Sequence, residues 1–133
     1  MSSKQKTLVP MTNYREELPD GCPPPSANED ALADVWRFIQ GQSPVESDFD
    51  SHAKLGKPNR KGASECDFAS CSLFDTKAAK NMAKNQFFKR KFASRLDIPA
   101  SSGKHLANSK GHVHLWMYDE FDPVKAVVET VKL

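Results

Sequence analysis

The chain has 133 residues, of which 38% are hydrophobic and 27% charged, and its 19 basic and 17 acidic side chains leave a formal charge of +2. That length fits one ordinary domain and leaves little room for a second core. The near-balance of charge excludes broad polyanion binding driven by net charge, though not a local basic patch. The three cysteines (Cys22, Cys66 and Cys71) are odd in number and widely spaced, and no apolar leader precedes them, which reads against a secreted disulfide scaffold. No run approaches the roughly 18 apolar residues of a membrane helix. The expected setting is cytoplasmic, with no membrane.

Residues 1–25 are polar, basic and rich in proline, so they bury too little apolar surface to offset the entropy of ordering. They are expected to form a disordered or loosely docked N-terminal tail, in which Leu8-Val9-Pro10-Met11 is the one apolar patch. Residues 26–133 form the single domain. Ser26 to Ala33 has room for a helical turn. Asp34 to Gln40 is β-branched and aromatic and predicts a first strand, with Val35, Arg37 and Ile39 on one face and Trp36 and Phe38 on the other. Ser47-Asp48-Phe49-Asp50 is suited to capping a short helix. Lys54 to Gly62 is a basic loop broken by glycine, proline and asparagine.

Phe68 to Phe74 predicts a second strand, with Cys71 and Leu73 facing opposite to Ser72 and Phe74. Asp75 is placed to cap a helix from Thr76 to about Lys84, with Ala78, Ala79, Met82 and Ala83 on its apolar side and Lys77, Lys80 and Lys84 opposite. Phe92 to Ile98 alternates as a third strand and stops at Pro99. Ser101-Ser102-Gly103 reads as a turn. His112 to Tyr118 predicts a fourth strand, with Val113, Leu115 and Met117 on one face and His112, His114, Trp116 and Tyr118 on the other. Asp122-Pro123 reads as the start of a short helix through about Val128. Four or more strands and two or three short helices in mixed order give an α+β fold with a small, mainly antiparallel sheet.

Three features carry candidate chemistry. His112 and His114 lie two apart on a strand, about 7 Å between Cα atoms, so both imidazoles reach the same side. No spaced carboxylate or cysteine accompanies them, and no metal site is assigned. Lys84, Lys89, Arg90, Lys91 and Arg95 are interleaved with Phe87, Phe88 and Phe92, a pattern that can track a phosphate backbone and stack bases, and the Lys54–Lys61 loop can extend it. Arg37 is a charge within an apolar strand, where it faces solvent, meets a partner or clamps a ligand. Cys71 falls on the apolar side of its strand and reads as a small hydrophobe. Cys66 has no adjacent histidine to activate it.

Pro23-Pro24-Pro25-Ser26-Ala27, Val35-Trp36-Arg37, Asp48-Phe49, and Cys66 before Ser72-Leu73-Phe74 together resemble a pattern in small uncharacterised bacterial proteins, a likeness that spans most of residues 23–118 and implies no activity. The order strand-with-Arg, strand-with-Ser, helix is more distantly similar to small ADP-ribosyltransferase-like domains. That resemblance implies a nicotinamide dinucleotide held by Arg37 and His112, and a catalytic set of Arg37, Ser72 and His114. His114 there replaces the glutamate of the pattern, for which Glu120 and Glu129 lie in the right part of the chain.

The residues themselves name no cofactor and carry no phosphate loop, metal box or nucleophile–base spacing. The function is therefore left open, and the leading expectation is an accessory macromolecule-binding module. A protein partner is favoured over nucleic acid. The transferase-like enzyme using a nicotinamide dinucleotide and nucleic-acid binding through the basic-aromatic patch are the alternatives.

Overall fold

The computed structural model describes residues 13–89 and 91–133. Six strands form one antiparallel sheet: β1 (Leu32–Ile39), β2 (Cys71–Asp75), β3 (Phe92–Ile98), β4 (Gly103–Ala107), β5 (His112–Met117) and β6 (Val127–Lys132), in the spatial order β4-β5-β2-β1-β3-β6. Two helices, α1 (Glu65–Phe68) and α2 (Thr76–Ala83), and short 3-10 turns at Glu46–Phe49, Gln86–Phe88 and Val124–Ala126 complete the described elements. This is the α+β architecture, with a mainly antiparallel sheet, that the alternation of the sequence predicts.

Alternation decides the two faces of the sheet. Val35, Cys71, Leu73, Leu96, Val113, Leu115 and Met117 are buried on one face with Phe49, and Leu32, Phe121, Val124, Ala126 and Val127 pack against them. Burying side chains of this size contributes about 1.5–3 kcal/mol each, the largest favourable term available to a domain of this size. The opposite face carries Trp36, Phe74 and His112 as cross-strand neighbours, and then Ser72 beside His114. In β1 the register shifts between Leu32 and Val35, and Asp34 takes φ +55° there. A bulge of this kind suits aspartate, which tolerates the left-handed region better than most residues.

Several predicted elements need correction. The second strand starts at Cys71, because Ser64 accepts a hydrogen bond from the Asp67 N–H and winds residues 65–68 into α1. No helix forms between Ser26 and Ala33, where β1 already begins at Leu32. Ser101-Ser102-Gly103 leads directly into a strand, β4, because the chain pairs back on β5. Gly103 is required there: a Cβ would stand 2.4 Å from the Trp116 carbonyl oxygen. The helix expected from Pro123 to Val128 shrinks to one 3-10 turn, and the β-branched run that follows becomes β6, paired with β3. Asp75, by contrast, caps α2 as expected, its Oδ1 accepting from the Ala78 N–H at 2.8 Å.

Packed structure also begins earlier than residue 26. Tyr14 bridges to Tyr118, and the Arg15 N–H donates to the Met117 carbonyl. Arg15 also donates to the Phe49 and Glu46 carbonyls, and the Ser51 N–H donates to Glu16. Cys22 is bonded to Cys66, 44 residues on, a bridge that the odd count and wide spacing of the cysteines did not suggest. The separation hid the pair, since only the return of residues 13–22 across the sheet brings the two thiols together. Leu8-Val9-Pro10-Met11 lies outside the described residues.

Candidate functional site: the aromatic face and the basic residues beside it

Arg37 and the two histidines are on opposite faces of the sheet. On the core face the Arg37 guanidinium donates three hydrogen bonds to main-chain carbonyls: Nε to Asp48 at 2.8 Å, Nη1 to Ser72 at 3.0 Å and Nη2 to Asp50 at 2.9 Å. It ties the 46–50 turn to β2, and the three acceptors satisfy a half-buried charge. Asp50, 7% exposed, has Oδ1 3.1 Å from Arg15 Nη2, an ion pair whose angle falls short of a hydrogen bond.

The aromatic face is a ladder of rings. Phe88 stacks on Phe38 at 4.4 Å between centroids, and Phe38 tilts against Phe74 at 5.8 Å. Phe74 stacks on His112 at 4.8 Å, His112 meets His114 at 4.2 Å, and His114 faces Trp116 at 6.1 Å. Cross-strand and i,i+2 neighbours on one sheet face produce such a series. Burial, with a smaller contribution from His114, pushes His112 down to about 4, so its ring is neutral near neutral pH. His112 Nε2 is buried and has no hydrogen-bond partner among the described residues.

His114 is held from α1. Its Nδ1 is 2.8 Å from Ser70 Oγ, and Ser70 Oγ donates to the Asp67 carbonyl at 2.6 Å. With that hydrogen committed, Nδ1 is the donor to Ser70, and Nε2 points towards Asp67 Oδ2 at 3.9 Å. The grouping has the composition of a serine–histidine–aspartate relay. Ser70, however, is 3% exposed and donates its own hydrogen to a carbonyl, so it cannot meet a substrate. The network positions β5 against α1, together with the Trp116 Nε1 donation to the Cys66 carbonyl at 2.9 Å. Sequence reasoning missed Ser70 and Asp67. The signal available for them was the Ser64-x-x-Asp67 cap, which predicts the turn that carries both.

Ser72 stands opposite His114 in register on the aromatic face and lends its carbonyl to Arg37. Arg37, Ser72, His112 and His114 therefore do not converge. Neither the 10 Å³ cavity beneath Arg15 and Met117 nor the open depression beside α2 is lined by any of them. Glu129 is engaged by Arg95, and Glu120 is exposed in the turn after Tyr118. Tyr118 bonds Glu29, and burial followed by that carboxylate raises its phenol well above the usual value.

The predicted basic patch is dispersed. Arg95 lies between Glu129 at 2.7 Å and Asp34 at 2.9 Å, so its charge is already matched. Lys84 and Lys89 are exposed, Lys91 is half-buried, and Arg90 lies outside the described residues. Among the described residues no three His, Cys, Asp or Glu side chains are grouped to hold a metal ion, and no helix is long and apolar enough to cross a membrane. No protein-family model, curated protein or solved structure matches the chain.

Proposed function

We propose that the chain is an accessory module that binds another protein, taking an extended segment of that partner along the outer edge of β6. The observation that carries the reading is the state of that edge. Among the described residues β6 is the last strand of the sheet, and Val128 and Val131 on it are 51% and 37% exposed. Leu133 donates its N–H to the Lys91 carbonyl on the β3 side, so alternation turns the N–H and C=O groups of Thr130 and Lys132 outward. An edge of this kind supplies main-chain hydrogen bonds for affinity and apolar side chains for selectivity. The opposite edge, β4, is covered in part by Asn28, which exchanges both main-chain hydrogen bonds with His105.

Two further facts favour binding over catalysis. The transferase-like reading requires Arg37 for a dinucleotide, and that guanidinium is occupied by three carbonyls. Ser72 and His114 share a face without it. The compartment belongs to the same proposal: the Cys22–Cys66 bridge fits an oxidising setting better than the cytosol, where glutathione keeps thiols reduced.

Peptide display on the immobilised protein tests the reading, with counter-selection on Lys132→Pro, which removes an outward N–H without breaking a bond to β3. Peptides of alternating β-branched residues that bind the wild type and lose the variant are expected. Binders that ignore both Lys132→Pro and Val128→Lys would overturn it. Sedimentation velocity on the same protein shows whether a second copy occupies the edge.

A further inference from the structure

The open depression beside α2 has a volume of about 480 Å³ and is lined by Lys77 and Lys80 from the helix, by Lys84 at its C-cap and by Lys110 from the turn between β4 and β5. These three lysines fall within one narrow stripe, because Lys84 keeps helical backbone angles and offsets of three and four residues return to the same side of a helix. They span about 10 Å along the axis at 1.5 Å per residue. Lys110 supplies the opposite wall. Gly111, beside it, has φ +82°, and a Cβ there would meet the Asp75 carboxylate at 2.5 Å. The bare glycine lets that carboxylate tuck between the turn and the start of α2, where it caps Ala78.

Within the described residues no carboxylate is ion-paired with the lysines of this trough. Among the described residues, the ion pairs of lysine and arginine within 4 Å engage Arg15, Lys54 and Arg95, and none involves these four lysines. A chain of formal charge +2 has thus gathered four exposed ammonium groups, with one carboxylate among them, from two segments remote in sequence. Mutual repulsion opposes that arrangement, and a bound anion relieves it.

We infer that the trough holds a nucleic-acid strand by its phosphodiester backbone, without reading its bases. An open trough leaves most of a small ligand in water, whereas small-molecule sites bury most of theirs. A passing chain suits it, and 10 Å of lysines matches two or three successive phosphates. No aromatic ring lines the trough among the described residues, so none is placed there to stack a base. This site is not the interleaved patch of residues 84–95, with which it shares only Lys84. It is also independent of the β6 edge.

The test is fluorescence anisotropy of the full chain with a labelled mixed-sequence 12-mer, as a single strand and as a duplex, from 20 to 200 mM salt. Two or three phosphate contacts predict a slope of log affinity against log salt of about −2 on the single strand. The double variant Lys80→Glu/Lys84→Glu should weaken binding at low salt by at least about tenfold, whereas Lys125→Glu, at an exposed site elsewhere, should leave it nearly unchanged. Lys80→Gln/Lys84→Gln repeats the comparison without charge reversal should the first variant fold poorly. Scrambling the 12-mer should change nothing. No binding at 20 mM salt, equal losses from Lys125→Glu, or a preference for inorganic polyphosphate of matched charge would each overturn the assignment.

Discussion

Arg37 Nη2 donates to the Asp50 carbonyl at 2.9 Å, and this contact makes the arginine part of the core rather than of a ligand site. The same guanidinium holds the Asp48 and Ser72 carbonyls, so its removal leaves three acceptors without their donor. Unsatisfied groups of this kind cost about 1–3 kcal/mol each and do not add fully. Arg37→Ala should lower unfolding free energy by about 3 kcal/mol in urea titrations, and Arg37→Lys should recover little of it. A variant as stable as the wild type would show that the arginine serves something other than the 46–50 turn.

His112 makes stability depend on pH in a definite direction. Its folded value, about 4, lies below the ordinary 6.5, so the folded state takes up a proton less readily than the unfolded state. The stabilisation is complete above pH 6.5, falls as pH drops through the window from 6.5 to about 4, and is flat below it. Because the ring is only half-buried, solvent screening reduces the effect to about 1–2 kcal/mol. The groups around it are His114, Asp67 and Lys61, with Phe74 stacked on the ring. His112→Phe keeps the stacking and should remove this part of the pH dependence in paired unfolding titrations at pH 7.5 and 4.5. An unchanged difference between the two pH values would assign it to another group.

The Cys22–Cys66 bridge closes a long loop and fastens residues 13–22 to α1. Reduction, or Cys22→Ser, should destabilise the protein by about 2–4 kcal/mol. Amide exchange should rise first in residues 13–22 and 65–68, with little change in β6. Cys71 should remain unlabelled by thiol reagents until global unfolding, since it is buried and burial raises its thiol. Labelling of Cys71 at the rate of local opening, or exchange that rises uniformly, would contradict this placement of the bridge.

Gly103→Ala places a methyl group 2.4 Å from the Trp116 oxygen and 2.9 Å from the Met117 Cα, both main-chain atoms of the adjoining strand. Neither can move without disturbing the β4–β5 ladder. A loss of about 3 kcal/mol or more is expected in thermal unfolding, and a loss below 1 kcal/mol would mean that β4 can shift as a unit.

Elements whose own residues determine them were legible in the sequence. Phe92–Ile98 alternates cleanly and is a strand over that span, and Asp75 caps α2 through its own carboxylate. Val113, Leu115 and Met117 are buried as their period of two requires. The errors fall where a distant partner decides. β6 follows a proline turn that favours a helix locally, but pairing with β3 and the Ser94–Thr130 hydroxyl contact at 2.7 Å hold it extended. β4 is short and polar, and exists because β5 returns beside it. The site residues were less legible for the same reason. Arg37 was visible as a charge out of place, but only the folding of residues 46–50 over the core face reveals its three carbonyls. The four lysines of the trough come from two segments with no common spacing.

The measurement that bears most directly on the β6 proposal is residue-resolved amide exchange by NMR, with and without a peptide selected on the wild-type protein. Added main-chain pairing should slow the Thr130 and Lys132 amides, which face outward in the free protein, while Val131, already facing β3, changes little. Protection that leaves Thr130 and Lys132 untouched and appears instead around His112–Trp116 would contradict the proposal and move the binding surface to the aromatic face.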